Sequence, residues 1–333
     1  DSGFHSSRVA RMKQRYRIGR VPLGVLIAVL VLAGCGRVPE RVLPDFSERT
    51  IEVVATTGMV GDIVREIGGE RLQVTTLMGP GVDPHLYKAS EGDVERLAKA
   101  DIVFYSGLHL EAKLAEVFEK MGDSIVTVPV TDLIPRSELH VVGSGESTYD
   151  PHVWFDVSMW SDATESVRRT LVEVDPTHAD EYNARAEAYQ LELTALDDYV
   201  RAEASSIPED KRVLITAHDA FGYFADAYGF EVKGLQGVST ATEAGTGDVQ
   251  SLANFIVANK IPAIFVESSV SPRTVRALQE AVRAQGYDVQ IGGSLFSDAM
   301  GNPGTFEGTY IGMVTHNIDT IAHALKEDGA SES

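Results

Sequence analysis

From Asp175 to Ser206 the chain reads "DPTHADEYNARAEAYQLELTALDDYVRAEASS", a stretch rich in Ala, Glu, Leu and Arg that holds no glycine and no proline after Pro176. Tyr182, Tyr189, Leu193, Leu196 and Val200 recur along it at helical spacing, so a single helix about 45 Å long is predicted at 1.5 Å per residue. A helix of this length in the middle of a chain limits the architectures open to whatever lies on either side. It has no sustained heptad, which argues against a coiled-coil arm and for a spine between two folded halves.

Both flanks carry the same kind of pattern. Before the spine, strand-like "IEVVATT", "LQVTTLM", "DIVFYS" and "SIVTVPV" alternate with helix-like "MVGDIVREIGG", "EGDVERLAKA" and "EAKLAEVFEKM", and a further helix is expected near residues 157–173. After it, "RVLITAH", "FEVKGLQG", "AIFVESS" and "DVQIGGSL" alternate with "DAFGYFADAYG", "DVQSLANFIVANK" and "SPRTVRALQEAVRAQG", and the chain closes with helix-like "TYIGMVTHNIDTIAHALKE". Such alternation implies parallel strands with crossover helices. The expected fold is therefore α/β, with two similar lobes (51–174 and 207–328) bearing parallel-type sheets, joined by one long backbone helix (175–206), and a ligand site in the cleft between the lobes. With 333 residues, 44% of them hydrophobic, there is enough chain for two cores.

Residues 1–34 differ from the rest. Arg11, Lys13, Arg15, Arg17 and Arg20 precede the apolar run "VPLGVLIAVLVLAG", and the only cysteine of the chain, Cys35, follows. The run is short for a bilayer span and its basic flank is that of a secretory signal, with Met12 read as the initiator. A lone cysteine rules out an intramolecular disulfide. The segment 35–50, with its prolines and charges, reads as a tether. The formal charge is −20, and residues 1–34 contribute six basic side chains to one acidic, so the remainder is more acidic still. That surface repels nucleic acid and anionic lipid and attracts cations without selectivity.

The tripeptide Asp-Pro-His occurs twice, in "GVDPHLYKAS" and "TYDPHVWFDV". His85 and His152 follow the predicted strands that end at Met78 and Val130, His218 closes "VLITAH", and Asp298 follows the strand ending at Leu295. All four thus lie beyond the carboxyl ends of strands, where open α/β sheets keep their ligand sites, and each lobe supplies two. Three neutral imidazoles and a carboxylate suit a divalent transition metal. Proline restrains the chain ahead of each histidine, and the preceding aspartate can bond backbone or a ring N–H. Imidazoles with ordinary pKa values near 6.5 would lose such a metal as pH falls through about 6 to 5. His5, His109, His140, His178, His316 and His323 read as surface or capping residues.

Taken together and in order, "GVDPHLYKAS", "DPHVWFDV", "TAHDAFGYFADAYG", "GLQGVSTATEAGTGDVQ", "IFVESSVSP" and "SLFSDAMG" resemble the TroA-like metal-binding lipoproteins of bacterial manganese and zinc ABC importers, also called the lipoprotein receptor antigen family. The resemblance runs from Ile51 to the end of the chain. It implies one Mn²⁺ or Zn²⁺ per chain, held as transported cargo by His85, His152, His218 and Asp298. It also implies an importer permease with its cytoplasmic ATPase as partner. "LAGC" is similar to a lipoprotein box, so Cys35 is expected to carry lipid and to anchor a monomer outside the cytoplasmic membrane. Glu267 in "FVESS" is expected either to support or occasionally join the ligands, or to form a salt bridge across the lobe interface; Asp83, Asp150 and Asp219 are weaker candidates for the supporting role.

The metal is left open between the two. "PRSELHVVGSGESTYD" lacks the histidine-rich loop usual in the zinc branch, and "GVSTATEAGTGD" is closer to the manganese branch, which however often has glutamate where His218 stands. Two competing readings are a secreted zinc hydrolase, with Glu267 as its base, and a surface adhesin. The hydrolase lacks a His-Glu-x-x-His helix and an open fourth coordination position, so no enzyme is expected. Adhesion remains compatible as a second role.

Overall fold

The computed structural model describes residues 45–121, 125–143 and 148–326. The expected signal segment, Cys35 and the tether as far as residue 44 lie outside the described residues. From Asp45 onward the described residues pack as one compact unit. Residues 45–50, read above as the end of the tether, are docked: Phe46 is buried, Arg71 donates to its carbonyl at 2.6 Å, and Arg49 grips Asp101 through two bonds of 2.6 and 2.7 Å.

The first lobe holds β1 (Ile51–Ala55), α1 (Gly58–Gly68), β2 (Leu72–Thr76), α2 (Glu91–Lys99), β3 (Ile102–Tyr105), α3 (Ala115–Met121), β4 (Val126–Pro129) and α4 (Val157–Val174). Its four strands are parallel, in the order β2-β1-β3-β4. Helix starts follow their capping residues. Thr57 accepts from Val60 N at the start of α1, Ser90 and Asp93 form a reciprocal capping box on α2, and Asp156 caps α4. The helix expected over 111–121 begins only at Ala115. Gly107, Leu108 and His109 turn the chain with positive φ, and Glu111 is drawn into the sheet edge, where it accepts from Thr56 Oγ1, Ser106 N and Gly107 N at 2.6, 2.8 and 3.3 Å.

The spine is α5 (Ala179–Ser205), 27 residues, roughly 40 Å at 1.5 Å per residue, entered through a short 3-10 turn at Pro176–His178. Tyr182, Ala186, Tyr189, Leu193, Leu196, Val200 and Ala204 are its buried face. The second lobe holds β5 (Val213–His218), α6 (Gly222–Tyr228), β6 (Glu231–Gln236), α7 (Thr246–Asn259), β7 (Ala263–Glu267), α8 (Pro272–Arg283), β8 (Gln290–Leu295) and α9 (Tyr310–Lys326). Its strands form two parallel pairs, β5-β6 and β7-β8, with β5 packed beside β7. The spatial order β6-β5-β7-β8 thus repeats that of the first lobe.

Each lobe has its own core. Val54, Leu97, Val103, Leu114 and Phe118 cluster in the first, and Ile215, Leu235, Ile256, Ile264 and Leu278 in the second. The spine packs against α1, α4 and α9 and so touches both. All eight strands point their carboxyl ends toward the seam between the lobes, which is where the site is built.

Candidate metal site between the lobes

The first Asp-Pro-His copy lies in the connection from β2 to α2, and the second in the connection from β4 to α4, immediately before a 3-10 turn over Val153–Phe155. In both, the aspartate accepts the backbone N–H of its own histidine two residues on: Asp83 Oδ1 from His85 at 2.9 Å and Asp150 Oδ1 from His152 at 3.0 Å. The loop is therefore pre-set locally in each case. His218 ends β5 and Asp298 follows β8. Gly234 on β6 permits this packing, since a Cβ there would lie 2.3 Å from Asp219 N.

These four residues meet. His85 Nε2 stands 3.3 Å from His152 Nε2 and 3.8 Å from Asp298 Oδ2; His152 Nε2 is 3.4 Å from Asp298 Oδ1, and His218 Nε2 is 3.3 Å from Asp298 Oδ2. Among the described residues they form the one group of three or more His, Cys, Asp or Glu with converging donor atoms, all within 4.8 Å of one another. All are buried; His85 is the most exposed at 6%. His218 Nε2 and both Asp298 oxygens are buried without a hydrogen-bond partner, an arrangement that costs about 1–3 kcal/mol per group unless something else meets them. Donors around one ion at 2.0–2.1 Å in a tetrahedron stand roughly 3.3 Å apart, close to the spacings found here. The geometry and the donor chemistry both fit a divalent transition metal.

The far sides of the rings decide which nitrogen is free. Asp150 Oδ1 meets His152 Nδ1 at 2.6 Å, and Glu267 Oε2 meets His218 Nδ1 at 2.5 Å while its Oε1 accepts His218 N–H at 2.9 Å. A proton held on Nδ1 by a carboxylate leaves the Nε2 lone pair facing the other donors. Glu267 lies in the same lobe as His218, so its bonds are internal to that lobe and the expected salt bridge across the interface is not what it makes. Asp83 departs from its twin: its Oδ2 accepts from Thr240 Oγ1 at 2.6 Å, across the lobe seam. Asp219 is raised by burial and by the charge of Asp150.

The charges follow from these contacts. Burial pulls His152 down, but its bond to Asp150 and the charge of Asp298 beside it outweigh this and hold it up at about 9. His218 behaves likewise, raised by Asp298 and Glu267 against burial. For His85, burial prevails and lowers it to about 4. Burial alone would raise Asp298, yet His218 and His152 keep it well below the usual carboxylate range.

The remaining described histidines lie elsewhere. His109 sits in the positive-φ turn, His178 bonds Asp175, and His316 bonds the Ser294 carbonyl. His140 stacks on Tyr223 at the lobe seam, 4.1 Å between ring centroids. Tyr223, Thr240 and Trp154, whose Nε1 donates to Ser297 O at 3.0 Å, cross the seam beside the site; each lies within one of the stretches that carry the family resemblance, but no sequence signal assigned these residues a role.

The same arrangement of lobes occurs in a solved structure, the periplasmic zinc-binding protein TroA of Treponema pallidum, at TM-score 0.81 and 55% identity, covering 84% of this chain and all of that one. In sequence the chain is 56% identical over 273 residues to the zinc-binding protein TroA of Treponema pallidum (strain Nichols), covering 82% of this chain and 88% of that protein. It is also 47% identical over 302 residues to the manganese-binding lipoprotein MntA of Bacillus subtilis, covering 91% and 97%. Residues 53–324 match the family described as zinc-uptake complex component A, periplasmic, and the chain belongs to that family.

Proposed function

We propose that this chain captures a single Mn²⁺ or Zn²⁺ outside the cytoplasm and delivers it to the permease of an ABC importer driven by a cytoplasmic ATPase. The observation that carries the reading is the convergence of three Nε2 atoms and one carboxylate at 3.3–3.8 Å, with two donors from each lobe. His85, His152, His218 and Asp298 are the ligands, and Glu267 and Asp150 hold two of the rings from behind. The first lobe is 51–174, the spine 175–206 and the second lobe 207–328. Affinity alone ranks zinc above manganese for so nitrogen-rich a set.

The protein is not an enzyme in this reading. Glu267, the base a hydrolase would need, is occupied on the far side of His218 by two bonds. No helix among the described residues is long and apolar enough to cross a membrane. The "LAGC" sequence places attachment at lipid on Cys35 in this reading, and the lipid-anchored chain works as a monomer. The test is calorimetric titration of Zn²⁺ and Mn²⁺ into wild type and into the four single alanine variants, beside circular dichroism. One ion per wild-type chain and a loss of at least a hundredfold in each variant is expected, with His109→Ala unchanged. Wild-type affinity in His152→Ala would overturn the ligand assignment.

A further inference from the structure

His152 belongs to the first lobe by sequence, yet the segment that bears it is packed onto α6 of the second. Tyr223, on the first turn of α6 and 2% exposed, accepts the backbone N–H of His140 at 3.1 Å and donates to the Asp150 carbonyl at 2.9 Å. His140 and Asp150 are the two ends of a hairpin closed by Asp150 N to His140 O at 2.9 Å and by the Val141–Tyr149 bridge. One hydroxyl thus spans the base of that hairpin. The ring of Tyr223 stacks on the His140 imidazole with 10° between planes, and His140 Nε2 reaches Asp226 Oδ2, one turn along α6, at 3.0 Å.

The contact continues past His152. Phe155 stacks on Phe221 at 4.2 Å, and Val157 N donates to Tyr228 Oη at 3.3 Å. Gly222 lets the start of α6 come this close: a Cβ there would lie 3.2 Å from Asp150 Oδ2 and 3.3 Å from His140 Nδ1. The helix that grips this segment begins only four residues after His218. Beyond the hairpin, Trp154 Nε1 donates to the carbonyl of Ser297, the neighbour of Asp298. His152, His218 and Asp298 are therefore linked through protein contacts that need no metal.

We propose that Tyr223 is a positioning residue that sets His152 against His218 and Asp298 before metal arrives, as the Asp83–Thr240 bond does for the loop that bears His85. The proposal rests on the metal-capture reading. Its chemical logic is that a donor set ordered in advance loses less entropy on binding and releases its ion more slowly. Removing that hydroxyl would leave the Asp150 carbonyl without its donor and loosen the hold of α6 on the residue whose carboxylate orients the His152 ring.

The test uses the purified full chain and Tyr223→Phe, which keeps the stacked ring and deletes the hydroxyl. Zn²⁺ release into excess chelator and the visible spectrum of the Co²⁺-loaded protein are read beside the melting temperature without metal. A release rate about tenfold faster, with a changed Co²⁺ spectrum and a folded apo protein, is expected. His140→Ala, which removes the stacked imidazole from a site one-third exposed, tests the same grip without touching a buried group, and should speed release several-fold. A lower melting temperature with wild-type release rate and spectrum in both variants would make Tyr223 merely structural and overturn the proposal. If wild type itself takes up no Zn²⁺ or Co²⁺, it is the metal-capture reading that fails.

Discussion

Glu267→Gln isolates what a carboxylate behind a ligand contributes. The two oxygens of Glu267 do separate jobs: Oε2 meets His218 Nδ1 at 2.5 Å and Oε1 accepts His218 N–H at 2.9 Å. An amide has a single acceptor oxygen. Whichever way glutamine is turned, its NH₂ group must face either the backbone N–H or Nδ1. If it faces the backbone, two donors oppose each other in a buried site. If it faces Nδ1, the favoured tautomer moves its proton to Nε2, where the metal must bind. A hydrogen bond to a charged group is worth about 1.5–3 kcal/mol, which at 1.4 kcal/mol per decade corresponds to roughly 10–150-fold. Partners of metal-bound histidine typically cost about 10–100-fold when changed, so that is the loss expected here. Asp150→Asn supplies the contrast. Its Oδ1 alone accepts both His152 N–H and Nδ1, so an amide oxygen can keep both bonds and only the charge is lost. Zinc affinities from chelator competition, with circular dichroism of each apo protein, measure both variants. Affinity within twofold of wild type for Glu267→Gln, or a larger loss for Asp150→Asn, would refute the reasoning.

Proton competition is the second expectation. A raised imidazole keeps its proton below its folded pKa, and His152 at about 9 and His218 are both raised while His85 at about 4 is not. Zinc affinity should therefore fall steadily as pH drops from 8 to 6, earlier than the ordinary imidazole value implies, and a flat response over that range would count against it. Asp62, buried under α9 and accepting Tyr310 N–H at 2.8 Å, is lifted by burial to about 6 from 3.8. An acid raised in the folded state stabilises only while protonated, so apo stability should drop by roughly 2–3 kcal/mol as pH rises from about 4 to 6. Urea midpoints of Asp62→Asn should not show that drop; an equal drop in the variant would clear Asp62. Finally, Cys35→Ala should release the protein from membranes or leave it unprocessed, and unchanged membrane retention would contradict lipid attachment at that position.

The spine and the alternation around it were legible because both depend on period. Tyr182, Tyr189, Leu193, Leu196 and Val200 recur at helical spacing and all five are buried. Period was misleading at 111–121, where the helix starts late because a side chain, Glu111, leaves the helical path to satisfy backbone donors at the sheet edge. The site shows the same division. What is local in Asp-Pro-His could be read from sequence, since each aspartate binds the N–H of a histidine two residues away. The outward half of each motif is decided by partners distant in the chain: Thr240, 157 residues from Asp83, takes its second oxygen, while Asp150 is free to turn its oxygen back onto the ring of His152. Identical tripeptides thus acquire different work from different neighbours. One ties its loop across the seam, and the other fixes which nitrogen of its ring is offered to the metal.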